Sequence, residues 1–208
     1  MSVSILFYIR GVSMKFLSID LDYFVDTDIH TRNTCFPVGR DFVKPATIIK
    51  EWKECYLKYP EIRDIGIIPE FQDLKEFLTT SPKPFKGISS ADSHSFILRA
   101  IECISEYYEI NPYEECFELV NIDFHHDNYI SSGNTLDCAN WLRFFAEKYP
   151  NNKITWVKRP DSETKSLLGE FPYNQTEDIK SVLTGEYDGL FTCLSPEWTP
   201  PHLWKKLC

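Results

Sequence analysis

A short apolar run, Phe117 to Ile122, delivers three potential metal ligands, Asp123, His125 and Asp127, at alternate positions in N-I-D-F-H-H-D-N-Y. Such a run reads as a strand buried on both faces, the kind found in parallel sheets. Along extended backbone, the two-residue period turns Asp123, His125 and Asp127 one way and Phe124 and His126 the other. The three ligands then converge at the carboxyl end of a strand, where open α/β sheets place their sites. A solvated turn has no need of two acids and an imidazole in strict alternation.

A second acidic pair repeats the arrangement. Lys15 to Ile19 reads as a strand running into S-I-D-L-D-Y-F, which places Asp20 and Asp22 on one face at its end. Val43 to Tyr59 has helical spacing, with Pro45 tolerated in the first turn. Ile65 to Ile68 reads as a short strand and Glu70 to Leu78 as a short helix. The stretch G-I-S-S-A-D-S-H-S then leads into an amphipathic helix, F-I-L-R-A-I-E-C-I-S-E-Y-Y. Asp92 near its start is explained as a cap, whereas His94 has no such routine explanation. Ser131 to Asn134 makes a turn before a helix over Thr135 to Tyr149, with Leu136, Trp141, Phe144 and Phe145 inward, and Lys153 to Val157 and Tyr187 to Leu194 read as strands. Two polar stretches, Val25 to Asp41 and Lys158 to Thr176, read as long loops bordering a site. Strands alternating with helices predict a three-layer α/β/α sandwich with a mainly parallel sheet.

Composition narrows what such a sheet serves. With 208 residues, 43% hydrophobic and 15% aromatic, the chain suits one domain with one core. A net charge of -9 argues against nucleic acid or an anionic membrane as partner. It fits a protein that gathers carboxylates around a cation or receives a cationic substrate. Seven cysteines without a C-x-x-C pair indicate neither a disulfide framework nor a zinc knuckle, and are expected to be reduced. The apolar stretch near the start is too short for a signal peptide or a membrane span, and Met14 directly precedes the first strand. Residues 1–13 therefore read as an extension of a single domain, and the expected location is cytoplasmic.

Asp20, Asp22, His94, Asp123, His125 and Asp127 together exceed what one zinc ion needs. Carboxylate-rich sets suit magnesium or manganese, and histidine shifts the choice towards manganese. Bridging carboxylates hold two such ions about 3.5 to 4 Å apart and make a shared water nucleophilic. The expected cofactor is Mn2+, two per chain.

These residues resemble the ureohydrolases of the arginase and histone-deacetylase superfamily. D-F-H-H-D is similar to that family's D-x-H-x-D, S-I-D-L-D to S-x-D-x-D, and A-D-S-H-S to a loosened G-G-D-H-S. The resemblance implies that His94, Asp123, Asp127 and Asp20 hold one manganese, and His125, Asp123, Asp20 and Asp22 the other. Asp20 and Asp123 would be the bridges, and Asp127 would also orient the attacking hydroxide. Here the S-x-D-x-D strand comes first, and the segment with a histidine proton shuttle and contacts to a free amino acid's carboxylate is missing. With the S-P-E-W-T-P ending, these departures are similar to the peptide arginases, which convert arginine in ribosomally made precursor peptides to ornithine and release urea.

A guanidinium substrate needs a carboxylate for a bidentate hydrogen-bonded pair. Glu197, beyond the last strand, is the candidate, with Glu70 the weaker alternative. His126, His30 and His202 are candidate donors of a proton to the leaving amine. Other functions fit parts of the pattern: a ureohydrolase on a small guanidino compound, a single-zinc deacylase that leaves His94 unexplained, a phosphohydrolase with Asp20 as nucleophile, and a non-enzymatic binding module.

Overall fold

The computed structural model describes residues 14–37, 44–81, 83–111, 113, 116–129, 135–162, 164 and 172–208. The extension 1–13 and the expected turn Ser131 to Asn134 lie outside these residues. Strand β1 (Met14–Asp20) runs into a 3-10 turn, Leu21–Phe24, followed by α1 (Ile29–Cys35). Next come α2 (Pro45–Lys58), α3 (Glu70–Thr80), β2 (Gly87–Ala91), α4 (Ile97–Tyr107) and β3 (Phe117–Ile122). The chain continues through α5 (Trp141–Lys148), β4 (Asn152–Val157), β5 (Asn174–Thr176), α6 (Ile179–Leu183), β6 (Gly189–Cys193) and α7 (Trp204–Leu207).

The six strands form one sheet in the order β2-β6-β1-β3-β4-β5. Every pairing is parallel, so the expected three-layer α/β/α sandwich is the fold. The last strand, β6, slots between β2 and β1. Ser18 in β1 stands opposite Asn121 in β3 and Phe191 in β6, and Asp20 stands opposite Cys193.

Alternation along the strands divides the core between the two faces of the sheet. Leu17, Ile19, Val120, Ile122, Val157 and Leu190 join Ile48 and Trp52 of α2, Leu74 of α3 and Ile179 of α6. Phe16, Phe117, Leu119, Trp156, Phe191 and Cys193 join Ile97 and Ile101 of α4 and Trp141 and Phe145 of α5. Ser18, Asp20 and Asn121 share the strand parity of this second set, so the α4/α5 face carries the polar residues that lead to the site.

Local chemistry redraws several expected elements. The stretch read as a loop over Val25 to Asp41 contains α1, started by Asp28, whose carboxylate accepts from the Thr31 N–H at 2.7 Å; residues 38–41 lie outside the described ones. Ile65 to Ile68 forms no strand of the sheet, only a single antiparallel bridge between Val25 and Ile67. The helix expected from Thr135 starts only at Trp141. Before it, the Asn140 amide accepts from Asp137 N–H and donates to the Thr135 carbonyl, which winds the chain into a turn instead. Lys158 to Thr176 includes the edge strand β5, with 163 and 165–171 outside the described residues. Among the described residues, no helix is long and apolar enough to cross a membrane.

Gly189 opens β6 where the Phe16 ring crosses it: a Cβ there would come within 2.2 Å of the ring. Gly189→Ala is expected to destabilise the protein by about 1 to 3 kcal/mol, because the ring must leave its place in a packed layer. A denaturant midpoint equal to that of the parent would show that the layer yields without cost.

Candidate metal centre

The site lies at the carboxyl ends of β1, β2, β3 and β6, around the point where the strand order turns back past β1. Asp20 is the last residue of β1 and Asp22 the second of the following turn. Asp20 Oδ1 accepts from the Asp22 N–H at 3.1 Å, so the first carboxylate caps the turn that carries the second. This turn breaks the alternation expected to put both acids on one face, and Asp22 instead meets His125 and Arg32.

His94 enters through a 3-10 turn (His94–Phe96) between β2 and α4. Ser93, not Asp92, caps this turn, its hydroxyl accepting from the Ser95 N–H at 3.2 Å, while Asp92 is exposed. The His94 ring is buried and stacks on Trp141 at 4.6 Å and Phe191 at 5.6 Å. Its Nε2 lies 2.6 Å from Ser18 Oγ. With Nε2–H donated to that hydroxyl, Nδ1 keeps its lone pair for the site. That Nδ1 faces Asp20 Oδ2 at 3.3 Å, Asp123 Oδ2 at 3.2 Å and Asp127 Oδ2 at 3.4 Å, and is hydrogen-bonded to none of them.

After β3 the backbone bends at Phe124 and His125, so alternation does not continue as far as Asp127. Asp127 reaches the cluster through a left-handed conformation, φ 46°, and Trp141 Nε1–H holds its Oδ2 at 2.5 Å. Asp123 is fixed from several directions: its carboxylate accepts from His125 N–H at 2.8 Å and Asn121 Nδ2 at 3.3 Å, and its carbonyl from Trp156 Nε1 at 2.9 Å. His125 Nδ1 stands 3.0 Å from Asp22 Oδ2. Two ligand groups result, His94–Asp123–Asp127 and Asp22–Asp123–His125, with Asp123 common to both. Asp20 joins His94 in a third group with the buried Cys193.

These groups are suited to a metal ion. Asp22 Oδ1 and His94 Nδ1 are buried without a hydrogen-bond partner, and the His94 Nδ1 faces three carboxylates, so atoms of the ligating kind are left unsatisfied at the cluster.

The electrostatics say the same. Burial, then Asp22 and Asp123, push the Asp20 carboxyl up to about 7. Burial, then Asp127, push Asp123 up to about 8. Burial alone would lower both histidines, but the surrounding carboxylates outweigh it: His125 rises to about 8 through Asp22, and His94 rises well above its ordinary value through Asp123, Asp127 and Asp20. Asp22 is also opposed by burial, yet His125 and then Arg32 hold its carboxyl low.

Arg32 was not among the residues singled out from sequence. Fully buried in α1, it reaches Asp22 Oδ2 with Nη1 at 3.4 Å, while Nη2 donates to the carbonyls of Asp22 at 2.7 Å and Val25 at 3.2 Å. Its guanidinium lies 3.9 Å over the Phe124 ring. Asp28 as a helix cap was a readable signal for α1, but nothing in the sequence announces that Arg32 is buried. Ser195 was missed as well: it adopts φ 45° and donates to Asp20 Oδ2 at 2.5 Å.

A cavity of about 310 Å³ opens onto the cluster, lined by Asp20, His94, His125, Asp127, Tyr129 and Glu197 among others. Glu197 is buried there, whereas Glu70 in the first turn of α3 is not in the lining. None of the candidate proton donors lines this cavity. His30 is exposed on α1. His202 is engaged by Tyr56 Oη and the Ile65 carbonyl. His126 is buried, accepts from the Asn128 N–H at 3.0 Å, and stacks at 4.0 Å on Tyr129, which does line the cavity. No protein-family model, curated protein or solved structure matches the chain.

Asp20, Asp123, His94 and His125 all bind protons more tightly folded than unfolded. Their contribution to stability is complete at low pH and is lost as pH rises through the folded values, about 7 and 8 for the two acids and about 8 for His125. Asp22 acts in the opposite sense, but only as pH falls below the ordinary carboxyl value of 3.8. In excess chelator, Tm is therefore expected to fall on the order of 5 °C between about pH 6 and 8.5. Saturating manganese should remove or reverse that slope, since the ion favours the deprotonated ligands. Thermal scans with and without the ion check this, and parallel slopes would count against a shared cation.

Proposed function

We propose that the protein is a dinuclear manganese hydrolase that converts arginine side chains within a peptide, such as a ribosomally made precursor, to ornithine with release of urea. The observation that supports the reading most is that Asp123, a carboxylate with two oxygens to offer, belongs to two ligand groups at once, as a bridge between two ions would; His94 also recurs, but an imidazole serves one ion. The donors of those two groups are carboxylate oxygens and imidazole nitrogens, a set that suits manganese. His94, amid three carboxylates, fits a pair of ions better than a single zinc held by Asp123, His125 and one of the β1 acids.

Asp20, His94, Asp123 and Asp127 would hold one ion, and Asp20, Asp22, Asp123 and His125 the other. When bound, the pair supplies Lewis acidity and an activated water. The chain's own residues do the rest. Glu197, buried in the cavity wall, would accept hydrogen bonds from a guanidinium and so orient its carbon. Trp141 fixes the Asp127 carboxylate, and the hydrogen bond to Ser18 fixes the orientation of the His94 ring.

One feature favours a peptide over free arginine: the described lining of the cavity contains no Lys or Arg to pair with the α-carboxylate of a free amino acid.

Urea release from the manganese-loaded protein, measured with arginine-containing peptides and with free arginine, tests both levels. Peptide turnover with a mass loss equal to the difference between arginine and ornithine is the expected outcome. Faster turnover of free arginine than of every peptide would overturn the peptide reading alone, and no urea from any guanidino compound would overturn the activity. For the metal assignment, Asp123→Asn should lose both ions by elemental analysis and about 100-fold or more in activity. His94→Ala should lower one ion more than the other. Equal loss in the two variants would show that Asp123 is not a bridge.

A further inference from the structure

The two edges of the sheet are protected very differently. β5 closes one edge with only three residues, Asn174, Gln175 and Thr176, all polar, which is how exposed edges are ordinarily blunted. β2 closes the other with Gly87, Ile88, Ser89, Ser90 and Ala91, five residues without a charge or a proline. Among the described residues β2 pairs only with β6, and Ile88 is 69% exposed.

Both faces beside this edge are hollow. On the α4 side a cavity of about 470 Å³ runs along β2 against Phe96, Arg99, Ala100 and Ile104, with Phe96 48% exposed. On the opposite side a cavity of about 680 Å³, reaching Ser90, has a floor of Leu74, Leu78 and Leu207 and carries Lys75, Lys205 and Lys206. The three lysines are exposed and make no ion pair among the described residues, and no acidic side chain lines the cavity. Asp92, just past β2, is the acid near this rim, through its effect on Cys208; against it the three lysines leave a local excess of positive charge beside an open strand in a chain of net charge -9.

We propose that β2 is a docking edge for an extended peptide segment in which acidic residues alternate with apolar ones. An added strand makes main-chain hydrogen bonds to the edge and sends successive side chains to opposite faces. Apolar residues then meet Phe96, Ala100 and Ile104, and acidic residues meet Lys75, Lys205 and Lys206. A second copy of the chain suits the edge less well. Antiparallel β2–β2 pairing about a twofold axis keeps like faces on the same side of the sheet, so both lysine clusters would face each other across the axis. The proposal goes beyond the hydrolase reading and does not depend on it.

The test uses the full chain in chelator, so that no metal-held site contributes, and a fluorescein-labelled synthetic peptide alternating valine with glutamate. Saturable binding is expected, with slower amide exchange over residues 87–91. Lys205→Glu with Lys206→Glu, both exposed positions, should weaken binding about tenfold or more, and added salt should weaken it in the parent protein. Phe96→Ser should weaken it independently of salt. The proposal is overturned by any of four results: no saturable binding, equal binding of a valine–lysine peptide, unchanged affinity in the lysine variant, or unchanged exchange over 87–91. Concentration-dependent dimers in sedimentation that Ile88→Lys abolishes and the peptide does not compete away would assign the edge to a second copy instead.

Discussion

The crowding of carboxylates at the ends of β1 and β3 is the constraint to which the rest of the structure answers. Asp20, Asp22, Asp123 and Asp127 are all buried, and Asp20 and Asp123 are near enough to other acids to be pushed up towards neutrality. At an effective dielectric near 20, two like charges about 4 Å apart repel by about 4 kcal/mol, a large fraction of the stability of a domain. Neighbouring groups offset part of this. Arg32 brings a fixed positive charge against Asp22, Ser195 donates to Asp20, and Trp141 donates to Asp127. The two imidazoles take up what remains by holding protons more tightly than usual. A divalent cation would replace those protons and use the lone pairs that Ser18 and the backbone have already oriented.

Much of this was readable in the chain because strand geometry is a local rule. The two acidic motifs lie where short apolar runs end, and the ends of parallel strands gather on one side of a sheet. The boundaries of β3 are those the apolar run indicates, and α2 begins at the proline expected in its first turn. What escaped was set by contacts across the chain. Asp127 was expected to follow by alternation, yet a left-handed residue and the indole of Trp141 bring it in. Arg32 sat in a stretch that looked like loop because its helix is short and only partly apolar. Its burial depends on Phe124 beneath the guanidinium, a partner from a distant strand exit that no periodicity indicates.

The division of the sheet into two faces also explains how a polar site coexists with a dense core. On the α2/α3 face the strand residues that enter the core, Leu17, Ile19, Val120, Ile122, Val157 and Leu190, are all aliphatic. On the α4/α5 face, aromatic rings near the amino ends give way to Ser18, Asn121 and then the carboxylates towards the carboxyl ends. His94 is held between Trp141 and Phe191 at that boundary, with its edge towards the acids and its faces against rings. The site is therefore a continuation of the core rather than a depression in the surface, and the packing of that layer sets its precision.

The position of β6 bears on how the molecule comes into being. β1 and β2 lie on either side of a place that is filled by residues 189–193, after nearly all of the chain has been made. Until then β2 has no ladder to join, and one side of β1 is an unpaired edge. Closing the sheet therefore demands contacts of very long sequence separation, the kind that slows folding and leaves intermediates exposed to misassembly. The same closing step brings Ser195 to Asp20 and sets His94, carried on the end of β2, beside β1. Completion of the sheet is thus also the step that adds His94 and Ser195 to the acids that pairing of β1 with β3 already brings together, so the last strand made finishes the cluster.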